Sequence, residues 1–283
     1  MKLLTLNTHS LQEKNYLEKL KQFIQVILIE KPDIIAMQEV NQTANSKLAT
    51  KDLLSGFITC SNEKISIRED NYAAQVSKYL HESGISCSWT WISSKIGYSK
   101  YDEGLSLISL NQKITNVDSF YISKIHDYQN WKTRKVLGIQ TSYSKDWFFT
   151  VHMGWWQDEE EPFADQWNLL NFNLQEKIND GSNIWIMGDF NSPAEIRDQG
   201  YDCVQKSGWF DTYSLAAEKD DGLTVKGQID GWKTSHEKEQ FIQGMRIDHI
   251  WCSNLIKIKS SKVVFNGINH PVVSDHFGVL VSI

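Results

Sequence analysis

Ile184-Trp185-Ile186-Met187-Gly188-Asp189-Phe190-Asn191 is an apolar run that stops on polar residues. A short run of bulky apolar side chains reads as a buried strand, and Gly188, Asp189 and Asn191 are turn formers at its end. The same design recurs along the chain. Lys2–Asn7 reads as a strand closing on Asn7, Ile34–Val40 as one ending in Gln38 and Glu39, and Trp147–His152 as one ending in His152. Asp248 and His249 interrupt a strand over Arg246–Cys252, and Asp275 and His276 precede one over Val279–Ile283. Rigid strands with polar side chains at their ends are a good platform for a reactive constellation. Each residue alone has an ordinary explanation: a solvated Glu, a hydrogen-bonded His, a turn-forming Asn. The ordered set is harder to explain in that way.

Between these strands lie amphipathic helices. Leu17, Leu20, Ile24, Ile27 and Leu28 share one helical face, and Pro32 follows where the helix must have stopped. Asn71–Ser83 predicts a second helix, and Phe163, Trp167, Leu170, Leu174 and Ile178 a third. Further strands are expected over Trp89–Ile92, Gly104–Leu110 and Val136–Tyr143. Residues 41–70 and 214–243 read as long polar excursions, which leaves Arg246–Cys252 and Val279–Ile283 as the last two strands. Strands outnumber helices, which implies two packed sheets with helices outside. No repeat, low-complexity tract or proline-rich linker breaks the 283 residues. One domain over 1–283 is therefore expected.

Hydrophobic residues at 41% and charged residues at 23% are ordinary for a globular chain. The net charge of −6, with no Lys/Arg stripe to offset it, argues against a nucleic-acid binder. Cys60, Cys87, Cys203 and Cys252 form no C-x-x-C pair and read as reduced thiols. No apolar run approaches the ~18 residues of a membrane span. Met1–Leu6 starts like a signal peptide, but Asn7-Thr8-His9 ends the apolar stretch too early. A cytoplasmic protein with no membrane segment and no obligate protein partner is the expectation. The zinc-protease helix motif, the phosphate-binding G-x-x-x-x-G-K-[ST] loop and the G-x-S-x-G elbow are all missing.

Leu6-Asn7-Thr8, Gln38-Glu39-Val40, Val151-His152, Gly188-Asp189-Phe190-Asn191, Ile247-Asp248-His249-Ile250 and Ser274-Asp275-His276, in that order, resemble the motifs of the endonuclease/exonuclease/phosphatase (DNase I-like) superfamily. They run through almost the whole chain. The resemblance implies an α/β fold: a four-layered α-β-β-α sandwich whose two central, mostly antiparallel sheets are flanked by helices. It implies Glu39 as principal metal ligand, with Asn7 and Asp275 beside the metal. It implies catalytic roles for His152, Asp189, Asn191, Asp248 and His276. Asp189 would orient or deprotonate the attacking water, His276 would be oriented by Asp248, and Asn191 and His152 would contact phosphoryl oxygens.

Elementary chemistry agrees with these roles. Mg²⁺ takes hard oxygen ligands, usually one or two carboxylates plus waters and substrate phosphate. Glu39 meets that need for Mg²⁺, and equally for Mn²⁺ or another divalent cation. A carboxylate on one nitrogen of a histidine fixes the tautomer and favours the imidazolium, which suits a phosphate partner.

The substrate needs a closer likeness. His152-Met153-Gly154-Trp155-Trp156-Gln157-Asp158-Glu159-Glu160-Glu161-Pro162-Phe163, the opening Met1–Ser10 and Tyr101-Asp102-Glu103-Gly104-Leu105-Ser106 resemble the bacterial maltose 6′-phosphate phosphatase branch. This implies a phosphatase acting on a small sugar phosphate monoester, giving maltose and phosphate. Trp155 and Trp156 then offer indole faces to a sugar ring, with Glu103, Arg134, Trp131, Lys132 and Trp232 as further rim candidates. Asp158, Glu159 and Glu160 either accept sugar hydroxyls or form a solvated helix start. A nuclease of the same fold and a catalytically inactive binding module are the competing expectations.

Overall fold

The computed structural model describes residues 1–227 and 244–283. In chain order the elements are β1 (Lys2–Asn7), α1 (Tyr16–Glu30), β2 (Ile34–Thr43), α2 (Tyr72–Glu82), β3 (Cys87–Gly97), β4 (Tyr101–Leu110), β5 (Ile114–Tyr121), β6 (Lys135–Thr141), β7 (Trp147–His152), α3 (Phe163–Asn179), β8 (Ile184–Asp189), α4 (Gly200–Lys206), β9 (Phe210–Asp211), α5 (Thr212–Leu215), β10 (Ala216–Lys219), β11 (Asp248–Cys252), β12 (Ile258–Val264) and β13 (Gly278–Ser282). One sheet has the order β10-β12-β13-β1-β2-β4-β3 and the other β5-β6-β7-β8-β11-β9. Pairing is mostly antiparallel; β1–β2, β10–β12 and β7–β8 are the parallel pairs.

Three apolar clusters fill the three interfaces of a four-layered sandwich. Leu20, Phe23, Ile24 and Ile27 of α1, with Ala73, Val76 and Leu80 of α2, pack on the outer face of the first sheet. Leu3, Leu107, Ile139, Phe148, Met187 and Val281 meet between the sheets. Phe163, Trp167, Leu170 and Leu174 of α3 cover the outer face of the second sheet at Val151 and Ile186. The fold is thus the α/β sandwich expected. Leu17 is the exception on its predicted face, being 62% exposed. α2 starts as its sequence dictates: Asn71 caps it by accepting the Ala74 amide at 3.0 Å.

Arg246–Cys252 and Val279–Ile283 are not the last two strands. β12 lies between them in sequence and pairs β13 on one side and β10 on the other. Its exposed Lys259 and Lys262 interrupt the apolar pattern on both faces, which masked the strand. Much of the 214–243 excursion, with Trp232, lies outside the described residues. Its first part holds the end of α5 and β10.

The topology brings the polar strand ends to one edge. β1 and β2 run parallel, pairing Asn7 with Gln38. β7 and β8 run parallel, pairing His152 with Asp189, and antiparallel β11 sets Asp248 opposite Asp189. Gly188 makes this possible: its φ is +149°, and a Cβ there would lie 2.1 Å from the Val151 carbonyl oxygen. Below the edge, Gln38 Nε2 donates to Thr150 Oγ1 at 2.8 Å and Thr5 Oγ1 at 3.1 Å. All three side chains are fully buried. Buried polar groups need partners, so this cross-sheet link fixes the register of the two sheets next to Asn7, Glu39 and His152.

Candidate active site

Glu39 sits on a bulge. The β2–β4 register shifts between Met37 and Val40, and Glu39 has a φ of +51°. A bulge re-aims a side chain at the cost of local strain, about 1–2 kcal/mol for a non-glycine in this region. Here it turns Glu39 into a cleft of about 330 Å³, which Glu103, Arg134, His152, Trp155, Asp189, Asn191, Asp275 and His276 also line. Ten residues singled out in the sequence, Trp131 among them, therefore share this one cleft. Asn7 and Asp248 stand behind it and hold the others.

Asn7 Nδ2 donates to Glu39 Oε1 at 2.9 Å and to Asp189 Oδ2 at 3.1 Å. Asp189 Oδ1 accepts the Asn191 amide at 2.8 Å. Asn191, at φ +45°, donates its Nδ2 to the Met153 carbonyl at 3.0 Å. His276 Nδ1 lies 3.0 Å from Asp248 Oδ2. His276 Nε2 and His152 Nε2 lie 3.8 and 3.6 Å from Asp189 Oδ2, on which the site converges. Ser274 Oγ donates to the Asn7 carbonyl at 2.7 Å, tying the loop that carries His276 to the end of β1.

The two histidines differ electrostatically. Burial pulls the His276 pKa down, but Asp248 and Asp189 outweigh it and hold the ring well above the ordinary histidine value. Burial, then Arg134, Lys95 and His276, push His152 well below that value. The two rings are pushed in opposite directions, the separation expected of groups with distinct acid–base tasks. Burial raises Asp189 to about 6, with Asp248 adding and His276 opposing.

A divalent cation fits the carboxylates at the other end of the cleft. Burial, then Glu103 and Asp275, push Glu39 up to about 7. Like charges crowded in this way, with hard oxygen donors, suit a cation such as Mg²⁺. His9, Glu13 and Asp275 also cluster. There, however, His9 Nδ1 lies 2.9 Å from Glu13 Oε1 and Nε2 lies 3.1 Å from Tyr98 Oη. Burial opposes it, but Glu13 and Asp275 carry His9 to about 9. Both ring nitrogens of His9 thus face side-chain partners, Glu13 and Tyr98. Glu13 also accepts the Asp275 amide at 3.1 Å, so His9 and Glu13 form a mount for Asp275. Their roles escaped the sequence, although His9 lies within the opening motif.

The rim differs from expectation in three places. Trp156 packs on Phe163, centroids 6.1 Å apart, and does not line the cleft. Trp131 takes its place, 5.3 Å from Trp155 at 53°. The acidic run is loop structure: Asp158 accepts from Lys132 at 2.8 Å and from the amides of Glu160 and Glu161 at 2.9 Å. Glu160 pairs Lys132, and Glu161 accepts the amides of Lys124 and Ile125. Glu103 lines the cleft, but its Oε1 is held by Lys95 at 3.1 Å.

All four cysteines are free thiols, and no helix among the described residues is long and apolar enough to cross a membrane.

Comparison with known proteins fits this geometry. No curated protein matches significantly. The profile described as the Endonuclease/Exonuclease/phosphatase family matches residues 4–276. An endonuclease/exonuclease/phosphatase family protein from Leptotrichia buccalis C-1013-b is 32% identical, with TM-score 0.82, over 100% of this chain and 98% of that one. A mannosyl-6-phosphatase from Bacteroides thetaiotaomicron VPI-5482 is 16% identical, with TM-score 0.61, over 100% and 98% of the two chains. Truncated Caenorhabditis elegans TDP2 is 16% identical, with TM-score 0.60, over 99% and 95%. The chain belongs to the endonuclease/exonuclease/phosphatase family.

Proposed function

We propose that the protein is a divalent-metal-dependent phosphatase acting on a sugar phosphate monoester, with maltose 6′-phosphate as the first candidate. Family membership and the cleft chemistry support a phosphoesterase. One observation carries the reading: Asp189 Oδ2 stands between His276 Nε2 and His152 Nε2, 3.8 and 3.6 Å away, in the cleft that Glu39 enters.

In this reading Asp189, its carboxyl raised to about 6 by burial, takes the proton of the attacking water. Its Oδ1 is occupied by the Asn191 amide, so Oδ2 is the basic oxygen. His276, kept protonated by Asp248, donates to a non-bridging phosphoryl oxygen, and neutral His152 donates beside it. The new P–O bond forms opposite the bond to the sugar oxygen, which leaves and takes up a proton from solvent water while Asp189 returns its own to solvent, giving free sugar and phosphate. A divalent cation held by Glu39 and Asp275 would neutralise charge on the phosphoryl group.

The sugar specificity rests on the rim. Trp131 and Trp155 present tilted indoles beside the site, and Trp155 Nε1 is buried without a hydrogen-bond partner. Indole faces suit the C–H faces of sugar rings, and the orphan N–H can meet a hydroxyl. The mannosyl-6-phosphatase likeness supports a hexose 6-phosphate in such a site. The small-molecule partner, the lack of nucleic-acid binding and a cytoplasmic place belong to the same proposal.

The test is a phosphate-release screen over sugar phosphates and nucleotides with Mg²⁺, Mn²⁺ or EDTA, run beside plasmid DNA. Sugar phosphates should be turned over fastest, and only with a divalent cation. Faster cutting of DNA would replace this reading with the nuclease one. No turnover of any ester would leave a binding module.

A further inference from the structure

Lys95 and Arg134 stand on the cleft wall, and the reaction set out above uses neither. Lys95 lies in β3, opposite Glu103 of β4. Its Nζ is 3.1 Å from Glu103 Oε1 and donates to the Trp131 carbonyl at 3.0 Å. Arg134 precedes β6, and its Nη1 donates to the same carbonyl at 2.8 Å. Both residues are only 7% exposed.

Two buried cations here share one carboxylate. Glu103 is in ion-pair reach of Lys95, while Arg134 pairs with no carboxylate among the described residues and its Nε has no hydrogen-bond partner. Buried charges are normally paired, because desolvation is costly. Their fields also fall on the reacting groups. Both push His152 towards neutrality, and Arg134 interacts with Asp189 and Glu39. The excess positive charge therefore lies on the His152 side of the cleft, where phosphoryl oxygens are placed by the reading above.

Resting on that reading, we infer that Lys95 and Arg134 select a doubly charged terminal phosphate over a singly charged phosphodiester. A phosphate monoester carries about −1.5 to −2 charge near neutral pH and three free oxygens. A diester carries a single charge and one free oxygen fewer. Two fixed cations beside the phosphoryl site favour the first by attraction and by an extra charge-assisted hydrogen bond. Glu103 serves as the counter-charge that keeps Lys95 folded into the wall before substrate arrives. Were the three side chains only a core ion-pair cluster, a second carboxylate would be expected on Arg134.

The test compares the Mg²⁺-loaded wild type with Lys95→Met and Arg134→Gln on para-nitrophenyl phosphate and bis-para-nitrophenyl phosphate. Monoester kcat/KM should fall about 10-fold further than diester kcat/KM in each variant, the size of a lost hydrogen bond to a charged group. Lys95→Arg should keep most of the preference. Equal losses on both esters would overturn the inference while leaving the phosphatase reading intact. If the substitutions prevent folding, the wild type decides. At mildly alkaline pH, inorganic phosphate should raise Tm more than dimethyl phosphate at the same concentration, and equal shifts would overturn it. A wild type that hydrolyses no monoester at all would remove the phosphatase reading and this inference together.

Discussion

Asp248 Oδ2 lies 3.0 Å from His276 Nδ1, and Asp248 is itself only 1% exposed. The carboxylate thus faces the ring across almost no water. It keeps the proton on His276, whose other nitrogen points towards Asp189. His276 acts when protonated, so activity is lost as pH rises through its pKa. Asp248→Asn removes the negative charge, the pKa falls, and the alkaline limb of kcat/KM moves to lower pH. A move of at least ~1 unit is expected from loss of a buried opposite charge. Asp248 also lifts Asp189, so the acid limb moves the same way by less. Profiles of both proteins with the same cation measure this, and an unmoved alkaline limb removes Asp248 from the mechanism.

Asp189→Asn keeps the shape of the side chain and most of its hydrogen bonds, but the amide cannot take a proton. Turnover of a sugar phosphate should fall at least ~10²-fold, with KM changed far less. His276→Ala should fall by a similar factor. Near-native turnover in both, with native melting, would mean the cleft chemistry lies elsewhere.

The sheet edges were legible because strand ends are marked twice in sequence, by an apolar run and by the polar residue that stops it. That placed Asn7, His152 and Asp189 at strand ends, whereas Glu39 lies on a bulge inside β2, which runs on to Thr43, and Asp248 opens β11 instead of interrupting a strand from Arg246. Lys95 was not legible for a local reason. The β3–β4 hairpin turns at Tyr98 and Ser99, both with φ above +50°. Glycine or asparagine usually marks such a turn, so the Lys95–Glu103 register could not be read. β5 was hidden because it is a polar edge strand, half exposed, with Asn116 and Asp118 in it. Trp155 and Trp156 looked equivalent as neighbours. Only packing separates them, one against Trp131 in the cleft and one against Phe163 at the α3 start.

Glu39 offers a metal test that does not depend on turnover. Its carboxylate is crowded by Glu103 and Asp275, so a bound cation relieves repulsion in the folded state only. Ligand at about 100 times its Kd stabilises by about 2.7 kcal/mol. Mg²⁺ should therefore raise Tm by roughly 5 °C or more, given about 2–4 °C per kcal/mol in a chain of this class. Glu39→Gln should be no less stable than the wild type without metal, because one repelling charge is gone, and should lose the Mg²⁺ shift. Calorimetry with Mg²⁺ and with EDTA decides, and an undiminished shift in Glu39→Gln would place the cation elsewhere.

Trp131, Trp155 and Trp156 should separate cleanly on substitution. Trp131→Ala and Trp155→Ala remove cleft surface without touching Asp189 or the histidines. Each should raise KM for maltose 6′-phosphate several-fold, since an aromatic contact is worth about 0.5–1.5 kcal/mol beyond its area. KM for para-nitrophenyl phosphate, which has no sugar to stack, should change little. Trp156→Ala should do the opposite. It empties a site packed on Phe163, where large-to-small changes cost up to about 3–5 kcal/mol, so Tm should drop while KM for both esters holds. Steady-state kinetics and melting of the three variants check this together. If Trp156→Ala is the variant that raises KM for the sugar ester, the α3 start reaches the substrate and the Trp131–Trp155 pair does not define the sugar subsite.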